Sequence, residues 1–130
     1  MWKKRLALGL VFALLFTNGC AVIIAGVGAG AGVYTYVRGE LKRTYPVTVA
    51  PALKASLAAL DDLKIQIDRK QSDGIVDTIE AKRSDGTPVV IRVAAVTPTF
   101  TEVSVRTGVL GVWDKEVSEL IHATIAQRLQ

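Results

Sequence analysis

The one cysteine of this 130-residue chain, Cys20, follows an uncharged apolar run from Leu6 to Phe16, itself preceded by Lys3, Lys4 and Arg5. A cysteine at the end of such a run is either a site of lipid attachment or an inert small apolar residue, and with a single cysteine no intramolecular disulfide can form. The only histidine, His122, would need converging partners to serve a nucleophilic triad or a zinc site, and the chain offers no second cysteine near it. It is expected on a helix, with its ring partly in solvent. Asp61 and Asp62 are neighbours, and successive helical residues point about 100° apart, so the pair suits solvation better than metal binding or acid–base chemistry. No catalytic residue, metal site or cofactor is expected.

A short basic start, an apolar run of 11 residues and small residues before a break form the layout of a secretory signal peptide. Lys3, Lys4 and Arg5 hold the cytoplasmic side while the apolar run enters the bilayer. Eleven residues are too few for a span, which takes roughly 20 to cross about 30 Å of hydrocarbon. The break resembles the lipobox of bacterial lipoproteins, in which the cysteine becomes the acylated first residue of the mature chain. Gly19 and Cys20 fit that pattern, Asn18 is acceptable, and Thr17 stands where leucine is usual. Cleavage is therefore expected between Gly19 and Cys20. The alternative is an uncleaved transmembrane helix from about Leu6 to Ile24, because no charge falls between Arg5 and Arg38; Cys20 would then be a small apolar residue. Ala21, in place of aspartate, resembles the signal for outer-membrane delivery in enteric bacteria. The expected location is thus the periplasmic face of the outer membrane in preference to the inner.

Removing residues 1 to 19 leaves 111 residues, enough for one small domain. Three of the 16 basic residues leave with the signal, so 13 remain against 12 acidic ones, and this balance gives no reason to expect a nucleic-acid partner. The segment from Ala21 to Val37 is uncharged and carries Gly26, Gly28, Gly30 and Gly32. In a solvated helix each glycine costs on the order of 1 kcal/mol relative to alanine. In a membrane the spacing changes that balance, because Gly26 with Gly30 and Gly28 with Gly32 make two small-xxx-small faces for helix–helix contact. This stretch resembles the glycine zippers of some outer-membrane lipoproteins, and it equally suits a flexible tether. Tyr34 and Tyr36, with Arg38, Glu40, Lys42 and Arg43 just beyond, suit a membrane–water interface or packing on the domain.

From Tyr45 onward the pattern is that of a folded domain. Pro51 suits the first position of a helix carrying Leu53, Leu57, Leu60 and Leu63. Four strands follow: Lys64 to Lys70, Ile75 to Arg83 with Ile75, Ile79 and Ala81 inward and Asp77 awkwardly among them, Val89 to Ala95, and Thr101 to Thr107. Ser72-Asp73-Gly74 and Ser84-Asp85-Gly86-Thr87 are turns between them. Gly108 to Gly111 is read as a connector. Asp114 is placed to cap a last helix with Val117, Leu120, Ile121, Ile125 and Leu129 inward. Trp113 fits either a staple onto that helix or an exposed anchor for a partner. The expected fold is α+β in two layers, in the order helix, four antiparallel strands, helix, behind an N-terminal signal and anchor segment. The domains are then 1–19, the signal peptide; 20–44, the lipidated cysteine and Gly/Ala-rich membrane-proximal segment; and 45–130, the α+β domain.

Several stretches together resemble one family. They are the lipobox cysteine with its Gly/Ala run, Tyr34-Thr35-Tyr36-Val37-Arg38-Gly39-Glu40-Leu41, the Ala/Leu helix, Ile79-Glu80-Ala81-Lys82-Arg83-Ser84-Asp85-Gly86, and Thr101-Glu102-Val103-Ser104-Val105-Arg106-Thr107-Gly108. This set is similar to a family of small bacterial lipoproteins of unknown function, DUF3568. The resemblance implies an envelope lipoprotein and no particular activity. The expected partners are the membrane, through the acyl anchor, and another envelope protein; the oligomeric state is left open. The competing expectation is a membrane-inserting oligomer assembled through residues 21–37.

Overall fold

Alternating apolar and polar residues, interrupted by turn residues with local side-chain acceptors, build the centre of the molecule. A computed structural model of the chain describes residues 34–130. Cys20 and the glycines at 26, 28, 30 and 32 lie outside the described residues. The elements in order are β1 (Thr35–Val37), β2 (Glu40–Tyr45), α1 (Val49–Asp62), β3 (Gln66–Ser72), β4 (Val76–Lys82), β5 (Pro88–Thr97), β6 (Phe100–Val109), β7 (Val112–Trp113) and α2 (Lys115–Arg128). The fold is α+β, with an antiparallel sheet ordered β1-β2-β6-β5-β4-β3 and β7 paired to β6.

The expectation of four strands in a helix-first order is corrected here. The four predicted strands correspond to β3 to β6. Residues 35–44, placed by the sequence in the membrane-proximal segment, and Tyr45 at the expected start of the domain form β1 and β2 ahead of the first helix, and β2 pairs along its full length with β6, from Glu40↔Arg106 to Tyr45↔Thr101. The pattern was hidden because Arg43 falls between Leu41 and Tyr45 on the alternation that buries those two. Arg38 and Gly39 turn the chain with φ of 52° and 82°, the two positive angles that a tight hairpin requires. The expected connector at Gly108 to Gly111 is a second hairpin, with Gly108 opposite Trp113 and Val109 opposite Val112.

One face of the sheet carries the core. Val89, Ile91 and Val93 of β5 stand beside Val103 and Val105 of β6, all fully buried. Over them α1 lays Ala52, Ala55 and Ala59, whose small side chains let the helix approach closely, together with the larger Leu60, and α2 adds Ile121 and Ile125. Removing apolar area from water on this scale is the main stabilising contribution. Helix α1 starts at Val49, so Pro51 sits third in the first turn, where its missing N–H still leaves no intrahelical bond unmade. The helix ends in a Schellman arrangement: Ile65 N–H donates to the Leu60 carbonyl at 2.9 Å and Lys64 N–H to that of Asp61 at 3.1 Å, with Lys64 at φ 58°. That cap delays β3 to Gln66. Ile75, expected inward, is 81% exposed in the β3–β4 turn. The opposite face is polar, and there Glu40 accepts from Ser104 Oγ at 2.9 Å and from Arg92 at 3.3 Å.

Among the described residues no helix is long and apolar enough to cross a membrane.

Candidate functional site

His122 is fully buried, contrary to the expectation of partial exposure. On α2 the buried positions are Ser118, Ile121, His122 and Ile125, an i, i+3, i+4, i+7 stripe. The stripe is rotated from the face inferred from aliphatic residues alone, and Leu120 is left 52% exposed.

Both ring nitrogens of His122 are committed. Nε2 lies 2.7 Å from the carbonyl oxygen of Leu41, which can only accept, so Nε2 carries a proton. Nδ1 lies 2.8 Å from the Tyr45 hydroxyl, which donates to it in the neutral ring. The same hydroxyl is 3.1 Å from the His122 carbonyl. A second ring proton on Nδ1 could thus be accepted by Tyr45, with the hydroxyl proton turned to that carbonyl. Burial nevertheless dominates and pushes the His122 pKa down to about 4. Burial likewise raises that of Tyr45, against the pull of the nearby Arg43. Arg43 lies 4.8 Å from the Tyr45 ring centroid and 5.3 Å from that of Tyr34, and the Tyr34 ring meets His122 edge-on at 5.4 Å. Tyr34 and Tyr36 therefore pack on the domain, Tyr36 beneath the Lys115 ammonium at 5.3 Å.

This cluster is built like a structural tie. It has no carboxylate to orient the imidazole, and the buried hydroxyl one turn earlier, Ser118 Oγ, donates to Thr107 Oγ1 at 3.0 Å. A neutral, sealed imidazole whose nitrogens serve a backbone carbonyl and a phenol has no lone pair to offer a substrate or metal.

The remaining sequence candidates separate from one another. Asp62 is held by Arg128, with Nε to Oδ2 at 2.7 Å and a second contact from Nη2 to Oδ1, and this pairing lowers its pKa; Asp61 adds only its charge to the field at Arg128. Asp73 Oδ1 accepts from the N–H groups of Ile75 and Val76, both at 2.8 Å, and Asp85 Oδ1 accepts from Thr87 N–H at 2.9 Å. The Thr87 hydroxyl and N–H at Asp85, and the two N–H groups at Asp73, hold both carboxyl pKa values below the ordinary one and close the two turns. Asp114 caps α2 through Val117 N–H at 3.1 Å, as its position predicted. Among the described residues no group of three or more His, Cys, Asp or Glu is placed to hold a metal.

Trp113 lies against the β1–β2 turn. A Cβ built on Gly39 would stand 2.3 Å from the indole, so only glycine fits there, and the Arg106 guanidinium covers the ring at 5.5 Å. This contact is neither a staple onto the helix nor an exposed anchor; it ties β7 to the neighbouring hairpin. An open groove of about 650 Å³ runs beside it, lined by residues that include Arg83, Asp85, Gly108, Trp113 and Asp114. Arg83 sits between the carboxylates of Asp85 at 3.7 Å and Asp114 at 3.9 Å. These three charges are thus spent on one another and on the helix cap, and Lys115 and Glu116 complete the charged lining.

The family of proteins of unknown function DUF3568 matches residues 4–128. The chain belongs to this family. The DUF3568 match begins at Lys4, so it takes in the basic start, the apolar run, Cys20 and the four glycines as well as the domain. No curated protein matches the chain.

Proposed function

We propose that this DUF3568 protein is a lipid-anchored envelope protein, acylated on Cys20 after cleavage behind Gly19, whose domain is a non-enzymatic structural or protein-interaction module. The observation that carries the reading is the order of Lys3-Lys4-Arg5, an apolar run too short to span, and the sole cysteine directly after Gly19. Two or more acyl chains hold a protein stably at a bilayer where one holds it marginally. The commitment of His122 to Leu41 and Tyr45 supports a scaffold role for the domain. Its partners on this reading are the membrane and another envelope protein, and Ala21 favours the periplasmic face of the outer membrane. Fractionation tests the anchor: wild type resists a carbonate wash, and Cys20→Ala is released. A Cys20→Ala protein retained by washed membranes would overturn it.

A second reading is favoured by the glycine spacing alone. Gly26, Gly28, Gly30 and Gly32 offer two close-packing helix faces, through which the protein would insert and self-associate. Crosslinked oligomers lost in Gly28→Leu and Gly32→Leu support this reading, and monomers in all three proteins remove it.

A further inference from the structure

The β6–β7 hairpin ends in an apolar tip that the core does not use. Thr107 to Trp113 carries no charge, and Leu110 and Gly111 close a two-residue turn between the paired Val109 and Val112. Leu110 is 92% exposed, Val112 71% and Val109 58%. Val37 stands 54% exposed just before the β1–β2 turn, which Gly39 presses against Trp113. The registers put these two turns at one end of the sheet, where Glu40 pairs with Arg106, and the β3–β4 turn with Ile75 at the other.

We infer that this tip enters the outer layer of a lipid bilayer and fixes the orientation of the domain on the membrane. The inference rests on the acyl anchor proposed above. Cys20 and Tyr34 are 14 positions apart, a separation of at most about 50 Å at ~3.6 Å per residue. A domain of this size has a radius of gyration near 13 Å, so it cannot leave the neighbourhood of the surface. The chain then runs from Tyr34 straight through β1 to Val37, one short strand from the tip. Trp113 at the base of the hairpin, covered by Arg106, is the residue type that settles at headgroup depth with a cation beside it. A second protein surface is a poorer match. Four aliphatic side chains at roughly 100 Å² each supply about 400 Å² of apolar surface at a hairpin end whose Val109 and Val112 also border the groove beside Trp113, and a deformable bilayer can cover a tip of that uneven shape.

The test uses the full chain, extracted from membranes and reconstituted into vesicles of phosphatidylethanolamine and phosphatidylglycerol. Wild type comes first, because Cys20 is its only cysteine. An acylated Cys20 gives no thiol labelling and an acyl mass; a labelled Cys20 overturns the anchor itself. With the anchor intact, Leu110→Cys and Ile75→Cys each receive an environment-sensitive fluorophore. Both sites are highly exposed, so the fold tolerates both. The expected result is blue-shifted emission at position 110, quenched by brominated lipid, with water-like and unquenched emission at position 75. Water-like emission at both positions overturns the inference. So does a blue shift at 110 that brominated lipid leaves unquenched, since that places the tip against protein.

Discussion

The Tyr45 hydroxyl and His122 Nδ1 stand 2.8 Å apart and join residues separated by 77 positions, one at the end of β2 and the other in the middle of α2. With the bond from His122 Nε2 to the Leu41 carbonyl, it fastens the last helix to a strand that precedes the first. Buried polar groups of this kind stabilise only while every partner is present.

Removing one partner should therefore cost more than the bond itself. His122→Ala leaves a cavity, takes the imidazole donor from the Leu41 carbonyl and leaves the Tyr45 hydroxyl to the backbone carbonyl of residue 122, and is expected to lose about 3 kcal/mol in urea unfolding. Tyr45→Phe leaves Nδ1 without its donor and takes a hydrogen-bond partner from Arg43, with no cavity, and is expected to lose about 1–2 kcal/mol.

The same pair sets a pH dependence. Burial lowers the folded His122 pKa to about 4 from an ordinary value of 6.5, so between these values the unfolded chain binds the proton and the folded one does not. Stability is then complete above pH ~6.5 and falls as the pH drops toward 4, by up to about 3 kcal/mol in total. Urea midpoints measured across this window should decline, and the slope should flatten in His122→Gln.

Backbone conformation allows a paired comparison. Gly39 and Gly74 both hold positive φ, at 82° and 89°, but a Cβ on Gly39 meets the Trp113 ring while one on Gly74 meets nothing within 4 Å. Gly74→Ala should cost only the strain of the left-handed region, about 1 kcal/mol. Gly39→Ala should cost at least twice that and shift Trp113 fluorescence.

Lys64 presents the opposite case, a non-glycine residue at φ 58° in the Schellman position. Lys64→Gly is expected to raise stability by about 0.5–1 kcal/mol, read as a higher thermal midpoint.

The central sheet was legible because its residues obey simple rules. Val89, Ile91 and Val93 alternate with polar or less buried neighbours, Asp73 and Asp85 each precede a turn glycine, and Asp114 sits three residues before the N–H it caps. What escaped was written in residues that break the rules. Arg43 obscures the alternation of β2 because its charge is accommodated over the Tyr34 and Tyr45 rings, a packing that residue alternation does not show. The burial of His122 is not visible in the aliphatic pattern, because a histidine reads as a titratable group. Counted as a core residue, it completes the stripe with Ser118, Ile121 and Ile125. Its partners lie in β2, and a strand missed at one end of the chain concealed the burial of a residue at the other.

The measurement that bears most directly on the lipid anchor is the intact mass of the protein extracted from membranes. Acylation predicts a chain that begins at Cys20, heavier than its 111 residues by the attached lipid. A full-length chain from Met1 without added mass would contradict it.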